Sequence, residues 1–180
     1  MIDDKLLVAQ LKNPKTQEQA FRNLMSLYKK RLYWHIRKIV ISHDDADDVL
    51  QNTFIKVFKN IHKFNEESKL FSWMYRIATN ESITFINAKA KKKHVDISEL
   101  QNQLVNELSN DIYFSGDEIQ QKLQKAIITL PKKQQLVFNM KYFDEMKYSD
   151  MSEILETSVG ALKASYFHAV KKIEKYLTTN

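Results

Sequence analysis

The 180-residue chain has no cysteine and only two glycines and two prolines. Without cysteine there can be no disulfide, no thiol nucleophile and no cysteine-bearing zinc site. The five histidines (His35, His43, His62, His94 and His168) are scattered, with no pair at helical ligand spacing. So little glycine and proline argues against a β-sandwich or barrel, whose turns consume both. No apolar run approaches the roughly 20 residues of a membrane span, and no N-terminal run resembles a signal peptide. The expectation is a cytoplasmic protein with no membrane insertion, no metal and no cofactor.

What is present favours helix. Leu, Ile, Lys, Glu, Gln, Ala and Asn dominate, and long stretches carry no helix breaker. The fold class is all-α. A formal charge of +6 favours polyanionic partners, and its distribution says more than the total. Residues 1–93 hold 18 Lys and Arg against 10 Asp and Glu, a net of +8. Residues 94–118 hold no Lys or Arg, and six carboxylates give −6. Residues 119–180 hold 10 against 6, a net of +4. Two small basic domains, 1–93 and 119–180, joined by an acidic linker of low periodicity, 94–118, are the organisation this predicts.

In the first block Ala20, Phe21, Leu24, Leu27, Tyr28, Leu32 and Ile36 recur at three- and four-residue steps, predicting helix between Thr16 and Val40. Then comes His43-Asp-Asp-Ala-Asp-Asp48, leading into Val49, Leu50, Thr53, Phe54, Val57, Phe58 and Ile61. Aspartates at the start of an amphipathic helix complement its free N–H groups and positive dipole end. That general motive can account for all four. The same run fits the DDxxD pattern by which all-α terpenoid synthases hold magnesium and diphosphate. Such enzymes need a large helical cavity and a second acidic motif, which this chain lacks.

A polar loop, Phe64 to Lys69, precedes Leu70-Phe-Ser-Trp-Met-Tyr-Arg-Ile-Ala-Thr-Asn80, and that helix runs on to Lys89, Lys91, Lys92 and Lys93. Aromatics at helical spacing are ordinary core. Beside a polar loop and cations they also suit unpaired nucleic acid, since rings and guanidinium planes stack on bases while lysines follow phosphates. In the last third a short helix, Tyr148 to Leu155, a turn, Glu156-Thr-Ser158, and a longer helix, Val159 to Leu177, have helix-turn-helix geometry. Ser158 is positioned to cap the second helix, and Glu156 stands where a turn glycine is usual. Val159, Leu162, Tyr166, Val170 and Ile173 read as core packing.

Two segments together resemble a known family. Asp45-Ala-Asp-Asp-Val-Leu-Gln-Asn-Thr-Phe54, with Phe71-Ser-Trp-Met-Tyr-Arg-Ile-Ala-Thr-Asn80, is similar to region 2 of the extracytoplasmic-function (ECF) sigma factors, the promoter-specificity subunits of bacterial RNA polymerase. Leu130-Pro-Lys-Lys-Gln-Gln-Leu-Val-Phe138 and Ser158-Val-Gly-Ala-Leu-Lys163 resemble region 4. The likeness spans nearly everything outside the linker. It implies that Asp45, Asp48, Gln51 and Asn52 contact the clamp helices of the polymerase's largest subunit, with Phe54 and Phe58 packing inside the domain. Asn52 stands where glutamate is common. It implies minus-ten strand capture by Phe64, Asn65, Ser68, Lys69, Trp73, Arg76, Asn80, Thr84, Lys91 and Lys92.

For the minus-thirty-five duplex it implies Ser158, Gly160, Ala161, Lys163, Ala164, Ser165, Phe167, His168, Lys171 and Lys172. Ser165 and His168 fall where the family often has arginine, removing bidentate guanine contacts, while Lys171, Lys172 and Lys175 suit phosphates. The implied partners are the polymerase core (clamp helices and flap), promoter DNA and an anti-sigma factor. The linker would thread the polymerase cleft; by composition it is also a plain solvated tether. No catalysis is implied. A conventional helix-turn-helix regulator with an N-terminal sensor or dimerisation domain is the alternative function, and the aspartate-led helix with the Trp-Met-Tyr-Arg segment discriminates against it.

Overall fold

The computed structural model describes residues 4–108 and 118–179, and among them there is helix but no strand. In chain order the helices are α1 (Asp4–Lys12), α2 (Gln17–Val40), α3 (His43–Asn60), α4 (Leu70–Lys93) and α5 (Ile97–Glu107). Then follow α6 (Glu118–Ile128), α7 (Lys132–Phe138), α8 (Tyr148–Leu155) and α9 (Val159–Thr179). A short 3₁₀ turn, Ile61–Lys63, extends α3, and a π-helical turn, Asn139–Phe143, extends α7. No helix among these residues is long and apolar enough to cross a membrane.

Local chemistry sets the boundaries. Ser42 is extended, and its Oγ accepts from the Asp45 N–H at 3.4 Å, starting α3. Asp44 and Asp45 lie in the first turn, where the helix dipole favours them. Between α2 and α3 the chain reverses at Ile41, whose φ of 68° is costly for a β-branched residue. Burial of its side chain among Ile86, Ala90 and Leu104, and a 2.8 Å hydrogen bond from its N–H to the Arg37 carbonyl, hold it there. Helix α4 stops at His94, left-handed at φ 57°, whose N–H reaches the last turn's carbonyls.

Helices α2, α3 and α4 pack mutually and carry the N-terminal unit. Leu7, Val8 and Leu11 of α1 close one end over Leu24, Val57, Ile61, Phe64 and Met74. The C-terminal unit folds around Ala126, Ile127, Leu130, Phe138, Ala169 and Ile173. The largest cluster belongs to neither alone. Leu32, Ile36, Leu50, Tyr75 and Ala78 share it with Val137, Met140, Met146, Met151, Ile154 and Leu162, so the two units are joined across a dry seam.

The span 94–118, read as a linker of low periodicity, contains α5. Asp96 caps that helix by accepting from Glu99 N–H at 2.8 Å, and Leu100, Leu104, Val105 and Leu108 are buried against Ile86, Ala90 and Ile128. The Leu100, Leu104 and Leu108 steps of four are a helical stripe, short enough to be overridden by the polar composition around it. Residues 109–117, the rest of that span, lie outside the described residues. Leu100→Ala is expected to destabilise the chain by about 2–4 kcal/mol in urea unfolding; a change below about 0.5 kcal/mol would mean that α5 is a solvated surface element.

Candidate polymerase and nucleic-acid interfaces

On α3 the amphipathic period turns Ala46, Val49, Leu50, Thr53, Phe54 and Val57 inward. Asp44, Asp47, Asp48, Gln51, Asn52 and Ile55 are left facing solvent. Asp48, Gln51 and Asn52 therefore share an open face, as the docking assignment requires. Asp45 does not join them: it is mostly buried and pairs with Lys89 of α4, locking α3 to α4. The acidic run thus splits between two directions. Among the described residues no group of three or more His, Asp or Glu side chains is positioned to hold a metal ion.

Phe58 was expected inside the domain, yet it is 41% exposed, and Ile55 is 44% exposed. Phe58 lies edge-on to Phe21 at 5.0 Å, on the rim of a groove of about 540 Å³ between α2 and α3. Met25, Leu50 and Phe54 line that groove, and Asp47, Asp48, Lys29 and Lys59 surround it. An apolar slot with a charged rim beside the open α3 face is a protein-docking surface in composition. The sequence pattern counted Phe58 with the buried stripe because residues 54 and 58 are one turn apart. The structure shows that the stripe ends one position short.

Helix α4 carries a second surface. Trp73, Arg76, Asn80, Thr84 and Lys91 recur at steps of three, four and seven, and so fall on one face of the helix. Asn80, Thr84, Lys91 and Lys92 are exposed, while Trp73 and Arg76 are half-buried. Beside them Asn65 and Lys69 are exposed and Ser68 is half-buried, in a loop bent at Glu66 (φ 62°). Asn65 Oδ1 accepts from Glu67 N–H at 3.4 Å, an Asx-type turn. Phe64 is not available to a strand. It is 3% exposed, with its ring 5.1 Å from Trp73 and its side chain in the α1 cluster. Its apolar surface is worth more buried than displayed, and it anchors the loop that was expected to use it.

In the C-terminal unit α8, the turn and α9 have the expected helix-turn-helix form. Ser158 Oγ accepts from Ala161 N–H at 3.3 Å, capping α9. Glu156 is left-handed at φ 50°. Gly160, Ala161, Lys163, Ala164, Phe167, His168, Lys171 and Lys172 are exposed, and Ser165 is half-buried. Leu162, Ala169 and Ile173 face inward, but Val159, read as core, is 37% exposed. Phe167 is 53% exposed and carries Lys171 Nζ 4.5 Å from its ring centre. Lys172 donates to Gln134 of α7 at 3.1 Å, so part of its reach is fixed within the domain.

The seam between the units is polar at its edges. Asp144, just after the π-helical turn, accepts from His35 Nδ1–H at 3.1 Å and from Lys38. His35 Nε2 meets Thr79 Oγ1 at 2.8 Å. Burial opposes charge on Asp144, but the hydrogen bond and charge of His35, with Lys38, outweigh it and hold the carboxyl below its ordinary 3.8. Burial also raises Tyr75, next to this carboxylate, above the usual phenol range, and the negative charge of Asp144 adds to the effect. Nearby, Lys69 Nζ meets Asp150 Oδ1 at 2.6 Å, and Arg76 meets Glu156 Oε1 at 3.0 Å and the Glu153 carbonyl. The hydrogen bond to Asp150 is the main reason the Lys69 ammonium is held above its usual value. Of these carboxylates only Glu156 was singled out from the sequence, for its place in the turn and not as an ionic partner. The pairs are separated by 77 to 109 residues, and no local pattern marks them.

Residues 24–92 match the family model described as Sigma-70 region 2, and residues 120–173 match Sigma-70, region 4. The chain belongs to the sigma-70 family. Within it the relatives are ECF members: SigW of Bacillus subtilis is 29% identical over 172 residues, covering 91% of both chains. The sigma-E factor of Haemophilus influenzae is 26% identical over 165 residues, covering 87% of both. The fold is shared with CnrH, solved in complex with the cytosolic domain of CnrY, at TM-score 0.71 and 20% identity over 98% of both chains. It is also shared with RpoE of Bartonella quintana, solved with the anti-sigma factor NepR, at TM-score 0.66 and 19% identity, covering 89% of this chain and 98% of that one. The region 2 match sets aside the regulator with an N-terminal sensor domain, because residues 24–92 are accounted for by Sigma-70 region 2.

Two outcomes follow from the geometry. No heavy atom lies within 4 Å of where a Gly160 Cβ would sit. Gly160→Ala should therefore stabilise α9 by about 0.5–1 kcal/mol. If the small residue serves close approach to DNA, the same variant should weaken promoter duplex binding, which titration of the variant would report. For Asp144, the folded value lies below the unfolded one, so its stabilisation is complete above 3.8 and disappears as pH falls through the lower folded value. The wild type should exceed Asp144→Asn by about 1.5–3 kcal/mol near neutral pH. Denaturant melts should show that gap closing under acid, and a gap independent of pH would contradict the ionic joint.

Proposed function

We propose that this sigma factor docks on core polymerase through the outer face of α3 and the α2–α3 groove, and reads the opened minus-ten strand with α4. The recognition helix α9 then reads the minus-thirty-five duplex. The observation that carries the reading is the pair of distinct faces on one three-helix core. An acidic face beside an apolar slot lies on α3, and a Trp73–Arg76–Asn80–Thr84–Lys91 stripe lies on α4. Strand opening needs no bond chemistry. Binding energy for the displaced strand shifts the melting equilibrium, with bases stacking on Trp73 and read on their pairing edges by Arg76 and Asn80.

On α9, Lys163, Lys171 and Lys175 serve phosphates and fix register, while Phe167 offers an apolar contact of the kind that suits a thymine methyl. Ser165 and His168 supply fewer bidentate guanine contacts than arginines would. The protein acts in the cytoplasm, with core polymerase and promoter DNA as partners. The complexes of CnrH and RpoE with CnrY and NepR support an anti-sigma partner for this chain as well.

Purified chain added to core polymerase should give promoter-specific transcripts from a promoter library; output no better than core alone would refute the reading. Asp48→Arg should weaken co-purification with core at least about tenfold, equivalent to about 1.4 kcal/mol, with the circular dichroism melt unchanged. Asp45→Ala, by contrast, should lower the melt through loss of Lys89 pairing. Equal retention on core by Asp48→Arg and wild type would remove α3 from the interface.

A further inference from the structure

We propose that α1, which lies outside the region 2 match, belongs to the strand reader, and that its last residue, Lys12, positions the loop that captures the minus-ten strand. The inference rests on the assignment of Asn65, Ser68 and Lys69 to that strand. Three contacts bind Lys12 to the loop. Its Nζ donates to the Phe64 carbonyl at 2.7 Å, pairs with Glu66 Oε1 at 3.5 Å and lies 5.9 Å from the Phe64 ring centre. The bond to the carbonyl has the leverage. It is partly buried and charge-assisted, whereas the Glu66 side chain is 46% exposed and its ion pair is weak. The Phe64 carbonyl and the Asn65 N–H belong to one planar peptide, so a cation that holds the oxygen also sets the direction in which the chain departs towards Asn65.

The loop needs such a restraint. It leaves the 3₁₀ turn that ends α3, where the negative helix end favours a cation, and then bends at Glu66, left-handed at φ 62°. A residue other than glycine keeps that conformation only when its surroundings hold it. The Asx-type turn at Asn65 is one restraint, and Lys12 is the other. Packing delivers Lys12 to its place. Leu7, Val8 and Leu11 share a buried cluster with Phe64, Leu70 and Met74, and Thr16 Oγ1 closes the turn after α1 by donating to the Gln10 carbonyl at 2.8 Å. Helix α1 then faces the loop across a cavity of about 330 Å³, with Asp4, Lys5 and Val8 on one wall and Glu66, Ser68 and Lys69 on the other. The hydrogen-bonding partners of Lys12 belong to the loop, so it acts through the loop and not on the strand.

The test uses holoenzyme assembled from core polymerase and the full chain, and reads which sequences it retains from a pool of single-stranded DNA randomised over the minus-ten segment. Asn65→Ala/Ser68→Ala first identifies the base position that the loop reads. Lys12→Met keeps the aliphatic stem and removes the ammonium. It should lower enrichment at that same position about five- to tenfold, leaving preferences elsewhere in the segment and retention on core as in the wild type. Lys12→Arg keeps a donor within reach and should recover most of the enrichment, which a general loss of packing would not allow. Lys15→Met removes the same charge from an exposed site three residues away and should change nothing. An equal loss in Lys15→Met overturns the inference, because charge alone would then explain it. So does a loop effect without a Lys12→Met effect, and so does a loss from Lys12→Met spread evenly over all positions. If the loop variant itself leaves the selection unchanged, the assignment of the loop to the strand has failed, and the role of Lys12 fails with it.

Discussion

A carboxylate buried between two helical units needs a cation and hydrogen-bond donors facing it or a way to lose its charge, and Asp144 has the first. His35 and Lys38 come from α2, while Asp144 comes from the chain leaving α7, so the pair can form only when the units are closed in one register. Breaking it in place would leave charge stranded in a dry seam, which costs far more than losing a surface pair. The register in turn determines what α8 faces. With Asp144 seated, Met151 and Ile154 enter the shared cluster, and Asp150 and Glu156 arrive at Lys69 and Arg76. The exposed pairs follow from the buried one.

The same three-helix packing separates the two interfaces of the N-terminal unit. Because α3 and α4 each bury one stripe against α2, their free faces point in different directions, one acidic with an apolar slot and one aromatic, amide and cationic. Under the proposed function, a polymerase contact on the first would leave the second open to DNA. Asp45–Lys89 ties the helices together between these faces, so a residue that resembles a docking contact is engaged within the domain, holding α3 to α4. Burial of Phe64 does the same for the strand loop: it fixes the stem from which Asn65, Ser68 and Lys69 project.

The positions of α2, α3, α4, α8 and α9, the all-α class and the helix-turn-helix were legible in the sequence because each depends on local periodicity and capping. Ser158 illustrates this, since a serine before Val159-Gly-Ala is a cap whatever packs around it. What was not legible depended on tertiary environment. Phe58 and Phe54 have the same period, and only the width of the α2–α3 contact decides that one is covered and the other rims a groove. Phe64 was expected to share in strand capture with the polar loop it opens, yet the apolar end formed by α1 claims it. Helix α5 was hidden because its acidic and amide residues outnumber the leucines that matter. The seam was invisible for a different reason: Asp144 and His35 are charge partners across more than a hundred residues, and no spacing rule connects them.

A recognition helix with small residues at its tip and lysines along its flank has a particular weakness. Lysine–phosphate contacts release counterions wherever DNA is found, so they raise specific and non-specific affinity together. On the proposed assignment, Ser165 and His168 leave α9 fewer bidentate guanine contacts than arginines would supply. A strand reader that is always open would compound the problem, because stacking and phosphate contacts to unpaired bases tolerate many sequences.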